Sequence, residues 1–204
     1  MIEIEIEAVA QILAAMQQPE VSVDDLATND PQAVLGRQCA DLFTGAVGAL
    51  RDLIPNPRVQ EIARVVWDLV GHKQVAVVLG PQVPTLSFTV VREHSVLRGR
   101  IFVPWAWPAM VKADPFLQLG AVLFVGAQVV DFYNDHLLDD RTGPLRWQGY
   151  EAELLLTLQR LVKNWKPTLY QSELLQRFPK GLDTESVKAT LYAFKSYTPP
   201  KGAA

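Results

Sequence analysis

The densest run of acidic side chains is DFYNDHLLDD, residues 131–140. Wound into a helix, Asp131, Asp135 and Asp139 align at i, i+4 and i+8. A few carboxylates together with a substrate phosphate are what a hard cation such as magnesium takes. Acids near a helix C-terminus oppose the helix dipole, however. The expectation is therefore a solvated helix end that stops before Asp139, with no metal. The three histidines, His72, His94 and His136, are far apart, and none has a second His or Cys at ligand spacing. CxxC and HExxH are both absent, which removes the usual zinc signatures. Cys39 is the single cysteine; it lies in an apolar helical stripe and reads as a core thiol. Ser87, Ser95 and Ser172 sit outside any GxSxG elbow. GPQVPT has too few glycines to cradle a phosphate, and neither a P-loop nor GxGxxG occurs. The sequence assigns no catalytic residue and no cofactor.

The elements that must position any site read as follows. Ile2, Ile6, Val9, Leu13 and Met16 fall on one helical stripe, although Ile2, Ile4 and Ile6 also alternate like a strand. The longer pattern favours a helix ending near Pro19, with an acidic loop over 19–30. Asp30-Pro31 is a cap followed by proline at the first helical position. The helix it opens carries an apolar stripe beside Gly45 and Gly48, a smooth patch for close packing. Pro55-Asn56-Pro57 ends that helix and starts another, which Gly71 closes. The period then shortens. QVAVVL (74–79), TLSFTVV (85–91) and VLRGRIFV (96–103) predict three antiparallel strands. Asp114-Pro115 repeats the cap signal for a helix to about Asn134 that is apolar on nearly every side, hence central. LLDDRTGPLRWQG reads as a loop. Helices follow over about 150–165, 168–177 and 184–196, the last capped by Asp183.

The predicted fold is thus α+β, mostly α-helical, with a small three-stranded antiparallel sheet. Residues 1–166 form the main domain, 167–197 a helical appendage and 198–204 a loose tail. Hydrophobic residues make up 49% of the 204-residue chain, enough for a real core. One cysteine forbids an internal disulfide and suits a cytoplasmic setting. MIEIEIEAVA has acids where a secretory leader needs positive charge. The apolar run FLQLGAVLFVGAQVV is shorter than the roughly 20 residues that span a bilayer, so no membrane is expected. Net charge is −3 but uneven: residues 1–140 carry −8 and 141–204 carry +5.

That asymmetry supplies one functional reading. SELLQRF, a PKG turn and TESVKATLYAFKSY make a helix-turn-helix pattern in which Arg177, Lys180, Lys188 and Lys195 would touch nucleic-acid phosphates. The second helix is lightly charged for that task, and simple helical packing accounts for the pattern equally well. A second reading comes from PWAWP, residues 104–108. Its prolines forbid regular structure across the segment. On an extended connector, Trp105 and Trp107 would point the same way. They either lid the core or, with Met110 and Phe116, anchor another protein, as aromatics at interface hot spots do.

The order of GRIFVP, the buried LGAVLFVGAQVVDFYND and the later YEAELLLTLQRL resembles that of gluzincin-type (zincin-like) metallopeptidases, over roughly residues 96–162. There a strand precedes the HExxH helix, and a glutamate on a later helix completes the zinc site. The resemblance places the HExxH register at Phe124-Val125-Gly126-Ala127-Gln128 and leaves Glu151 or Glu153 as a relic. None of the five binds zinc well or activates water, so it implies a catalytically inactive, regulatory protein. Taken together, the sequence points to a non-catalytic interaction subunit, adaptor or scaffold whose partner is another protein or complex. A nucleic-acid-associated protein and an inactive zincin-like protein are the alternatives.

Overall fold

The computed structural model describes residues 31–80, 82–134 and 143–182. The expected N-terminal helix and loop, the Asp30 cap, Asp135, His136 and Asp139 of the acidic run, the helix after Asp183 with Lys188 and Lys195, and the tail lie outside them.

Two helices come first, α1 (Pro31–Asp52) and α2 (Pro57–Gly71). Asn56 caps α2 by accepting from the Arg58 and Val59 amides, which satisfies two of the donors that a helix start leaves open. Gly48 does what its patch predicts. A methyl group there would stand 3.3 Å from the Trp67 ring, so its absence lets α2 lie close on α1. The helix α2 ends at Gly71 as expected, but the left-handed residue of its cap is Lys73 (φ 58°) and not the glycine. Lys73 N donates to Val70 O and Gln74 N to Leu69 O, the pair of bonds of a Schellman cap.

The sheet comprises β1 (Val75–Gly80), β2 (Ser87–Glu93) and β3 (Val96–Pro104), in the order β1-β3-β2. It is mixed, correcting the antiparallel expectation: β2 pairs antiparallel with β3, but β1 pairs parallel with β3. The HS turn explains the first pairing. His94 (φ 47°) and Ser95 (φ 70°) both have positive φ, the geometry of a tight two-residue hairpin. The connector from β1 carries prolines 81 and 84 instead of a turn dipeptide. It carries β2 one place beyond β1, and β3 returns between them. In register, Val75, Val77 and Leu79 stand opposite Gly99, Ile101 and Val103; Ile101 and Val103 are fully buried.

Two helices, α3 (Trp107–Ala113) and α4 (Pro115–Tyr133), follow the sheet. Asp114 caps α4 through the Leu117 amide, as its Asp-Pro pair predicts. α4 packs against α1, α2, α3, β2 and α5 (Gly143–Leu161). By length and composition α4 could cross a bilayer, but most of it is enclosed by the other elements here. The α5 helix starts about two turns before its expected place near 150. Gly143, Pro144 and Gly149 look like loop residues, yet proline in a first turn has no helical hydrogen bond to lose. Gly149 leaves room for Leu182: a methyl group there would stand 2.4 Å from Leu182 Cδ1. α6 (Leu169–Arg177) matches expectation and begins with a Thr168–Gln171 capping box. It packs on α5 through a cluster separate from the main core, made by Ala152, Leu155, Leu174 and Phe178 with Trp165 and Leu175.

Lys73 is an exposed residue in a conformation that costs a non-glycine side chain on the order of 1 kcal/mol. Lys73→Gly is therefore expected to raise unfolding free energy by about 0.5–1 kcal/mol in a denaturant titration; a loss would show that the lysine side chain contributes more than its backbone strain costs.

Candidate functional site

PWAWP is divided between three environments. Pro104 ends β3, Ala106 caps α3 and Trp107 opens it, with Pro108 in the first turn. The expectation of two indoles pointing the same way is wrong, because the chain turns into a helix between them. Trp107 is fully buried. Its ring lies 6.3 Å from that of Phe43, and its Nε1 donates to Gln118 Oε1 at 2.8 Å. It cannot anchor a partner. Trp105 is 41% exposed and free to do so. Met110 and Phe116 are half-buried and packed against the main core.

Phe116 belongs to a different surface. Its ring meets that of Trp165 edge-on at 6.5 Å. One turn further along α4, Gly120 lies against Glu151 of α5, and Glu151 Oε2 accepts the Tyr170 hydroxyl at 2.9 Å. Phe116 of α4 thus meets Trp165, and Glu151 links the next turn of α4 to the first turn of α6, where Leu169 is 80% and Tyr170 45% exposed. Leu169 and Tyr170 did not stand out in the sequence. The available signal was their place just after the Thr168 cap, where an apolar pair in a first turn is not required for the helix stripe.

Glu151 is the most perturbed acid of this region. It is buried. Burial raises its pKa from 4.5 to about 7, partly opposed by the Tyr170 hydrogen bond. Burial, followed by the Glu151 charge, pushes Tyr170 upward too. Next to them, Gln171 is buried with its Nε2 unpartnered, its Oε1 being spent on the Thr168 amide. Glu153 is treated differently: it pairs with Arg58 at 2.6 Å and accepts from Leu182 N at 3.0 Å. Arg58 also donates to Leu182 O.

The remaining sequence candidates stay apart. Asp131 is buried and accepts from Arg146 at 2.5 Å and from Trp147 Nε1 at 2.6 Å, a packing role. His72 caps α2 by bonding Asp68 O, and His94 forms the hairpin turn. Among the described residues no cluster of three or more His, Cys, Asp or Glu could hold a metal. Cys39 is buried beside Pro104 O, and burial pushes its thiol up to about 11, so it stays an unreactive thiol. Ser172 bonds Thr168 O. Arg177 spends one nitrogen on Gln148, and Lys180 is exposed. At the expected HExxH register, Phe124 meets the Trp147 ring at 5.7 Å and Gly126 faces Ile62 and Val66. Glu151 lies opposite Gly120, one turn before that register. A cavity of about 140 Å³ between α1 and α2 is lined by Phe43, Val47, Val66 and Trp67. Thr44 at its wall donates its hydroxyl proton to Ala40 O, and the lining is otherwise almost wholly apolar.

No protein-family model, no curated protein and no solved structure matches the chain.

Two outcomes follow from this geometry. Trp107→Ala should cost about 3–5 kcal/mol in denaturant unfolding, while Trp105→Ala should stay within about 1 kcal/mol; equal losses would place both rings in the core. Glu151 binds its proton more tightly folded than unfolded. The stability it contributes is whole below about pH 4.5 and is lost as pH rises to about 7. Wild type should therefore lose stability relative to Glu151→Gln across that window, by at most about 1.4 kcal/mol per pH unit, and no further above it. A difference that does not vary with pH would refute the buried acid.

Proposed function

We propose that the protein is a non-catalytic interaction subunit that docks another protein over the first turn of α6 and the adjoining flank of α4. The observation that carries this reading is the exposure of Leu169 and Tyr170 together on the first turn of α6. Aromatic and aliphatic side chains displayed together on ordered helices are the usual anchors of an interface. Trp105 is a further exposed anchor, on the turn before α3. A solvent-exposed leucine in a helix costs little by itself; an adjacent exposed Leu-Tyr pair on an ordered helix start makes a surface that another apolar surface can cover.

Leu169→Glu places a charge at the centre of that surface without touching the core. Tagged wild type and Leu169→Glu, each confirmed folded by its thermal transition, are to be compared in pull-downs from the native cell with and without nuclease. The expected result is a stoichiometric protein that survives nuclease with wild type and is lost with Leu169→Glu. A partner kept by Leu169→Glu would overturn this surface. Capture that vanishes with nuclease, or with Arg177→Ala and Lys180→Ala, would move the function to nucleic acid.

A further inference from the structure

We propose that Glu151 and Tyr170 form a proton-controlled latch: α6 is seated on α5 while Glu151 is protonated, and ionisation of Glu151 loosens the first turn of α6 and with it the Leu169–Tyr170 surface. This deepens the docking reading and rests on it for its biological meaning, not for its physics.

The two ends of α6 are held by unlike devices. Beyond its C-terminal end, Leu182 N donates to Glu153 Oε1 and Arg58 bridges Glu153 and Leu182 O. That carboxylate has a cation and stays satisfied when charged. At the N-terminal end the tie among the described residues is the bond from the Tyr170 hydroxyl to Glu151 Oε2. Among the described residues, the groups facing Glu151 supply no compensating charge. From α4 it meets Gly120, where a methyl group would stand 3.0 Å from Oε1. From α6 it meets Tyr170, and Arg177 acts on Tyr170 rather than on Glu151. Along α5 itself, Glu153 is engaged with Arg58.

A buried carboxylate with one neutral donor and no cation is costly. The cheapest relief is to admit water by lifting whatever covers it. Gly120 belongs to the central helix and cannot move. The α6 helix is nine residues long and rests on a small cluster of its own. Elements with few buried contacts open at lower free energy than the core, so α6 yields first, swinging about its pinned C-terminal end. Closed and open forms differ in how strongly they hold the Glu151 proton. The opening constant should therefore rise by up to about tenfold per pH unit between about 4.5 and 7 and level off above.

Amide hydrogen exchange on the full chain, corrected at each pH for intrinsic chemistry, reads this directly. In wild type, α6 protection is expected to fall through that window while α4 amides remain far better protected than those of α6. Glu151→Gln is expected to leave α6 protection independent of pH. Tyr170→Phe, which removes the donor but keeps the acid, is expected to lower α6 protection at pH 5 and to retain the slope. Equal protection of α6 and α4 would overturn the latch, since the two would open as one unit. A slope that persists in Glu151→Gln would overturn it also. No partner is needed, so failure of the pull-down removes the docking reading and leaves the latch standing, and the reverse holds equally.

Discussion

Nineteen residues of α4 present apolar surface in every direction, and the rest of the structure is arranged to enclose them. No single neighbour can cover such a helix. α1, α2 and α3 take part of its circumference, β2 meets its C-terminal half and α5 runs antiparallel along another side. Burial of this surface, at roughly 25 cal/mol per Å² of apolar area, is what obliges the sheet to lie against the helices on one side, with its β1 and β2 edges outermost. Val75, Ile101 and Val103 face inward, while Ala76 and Thr89 on the alternate positions are exposed.

The few polar groups on α4 follow the same constraint. Gln118 and Asp131 lie near its two ends, and each accepts a hydrogen bond from a buried indole, Trp107 and Trp147 respectively. A buried indole N–H without an acceptor would cost about 1–3 kcal/mol. These two acceptors therefore let large rings fill the space on either side of the helix without an unpaired donor. Asp131 in addition neutralises Arg146. A residue that reads in sequence as the start of an acidic cluster thus belongs to the packing of α4 on α5.

Features encoded within a few residues were legible in the sequence. Asn56-Pro57 and Asp114-Pro115 started helices, the 3.6-residue stripes gave the helices their buried faces, and the period-2 alternation located the strands. Features decided by distant contacts were not. The parallel pairing of β1 depends on where β3 inserts, which no local pattern records. Nor does any local pattern record that α5 starts early, through Gly143, Pro144 and Gly149, with Leu182 lying over Gly149. PWAWP misleads because proline breaks structure in the interior of an element but not at its ends. Pro108 sits where a helix tolerates it best, and the helix start rotates Trp107 away from Trp105. The Glu151–Tyr170 pair joins positions nineteen residues apart on different helices. The sequence marked Glu151 only through a resemblance, and nothing marked Tyr170 as its partner.

Glu151 and Glu153 show how little separates a structural acid from a responsive one. Two positions apart on an α-helix, their side chains leave in nearly opposite directions. One reaches Arg58 and a backbone amide. The other reaches a glycine and a phenol. The same side chain is a fixed anchor in the first setting and, in the second, a group whose burial opposes its charge near neutral pH. Sequence spacing places both on α5. Only the elements packed around α5 decide which of them can respond, and the responsive one holds the turn of α6 that displays the exposed leucine and tyrosine. The buried acid and the exposed Leu169–Tyr170 pair therefore meet at one helix end, while the central helix behind Glu151 supplies the immovable wall that makes the coupling directional.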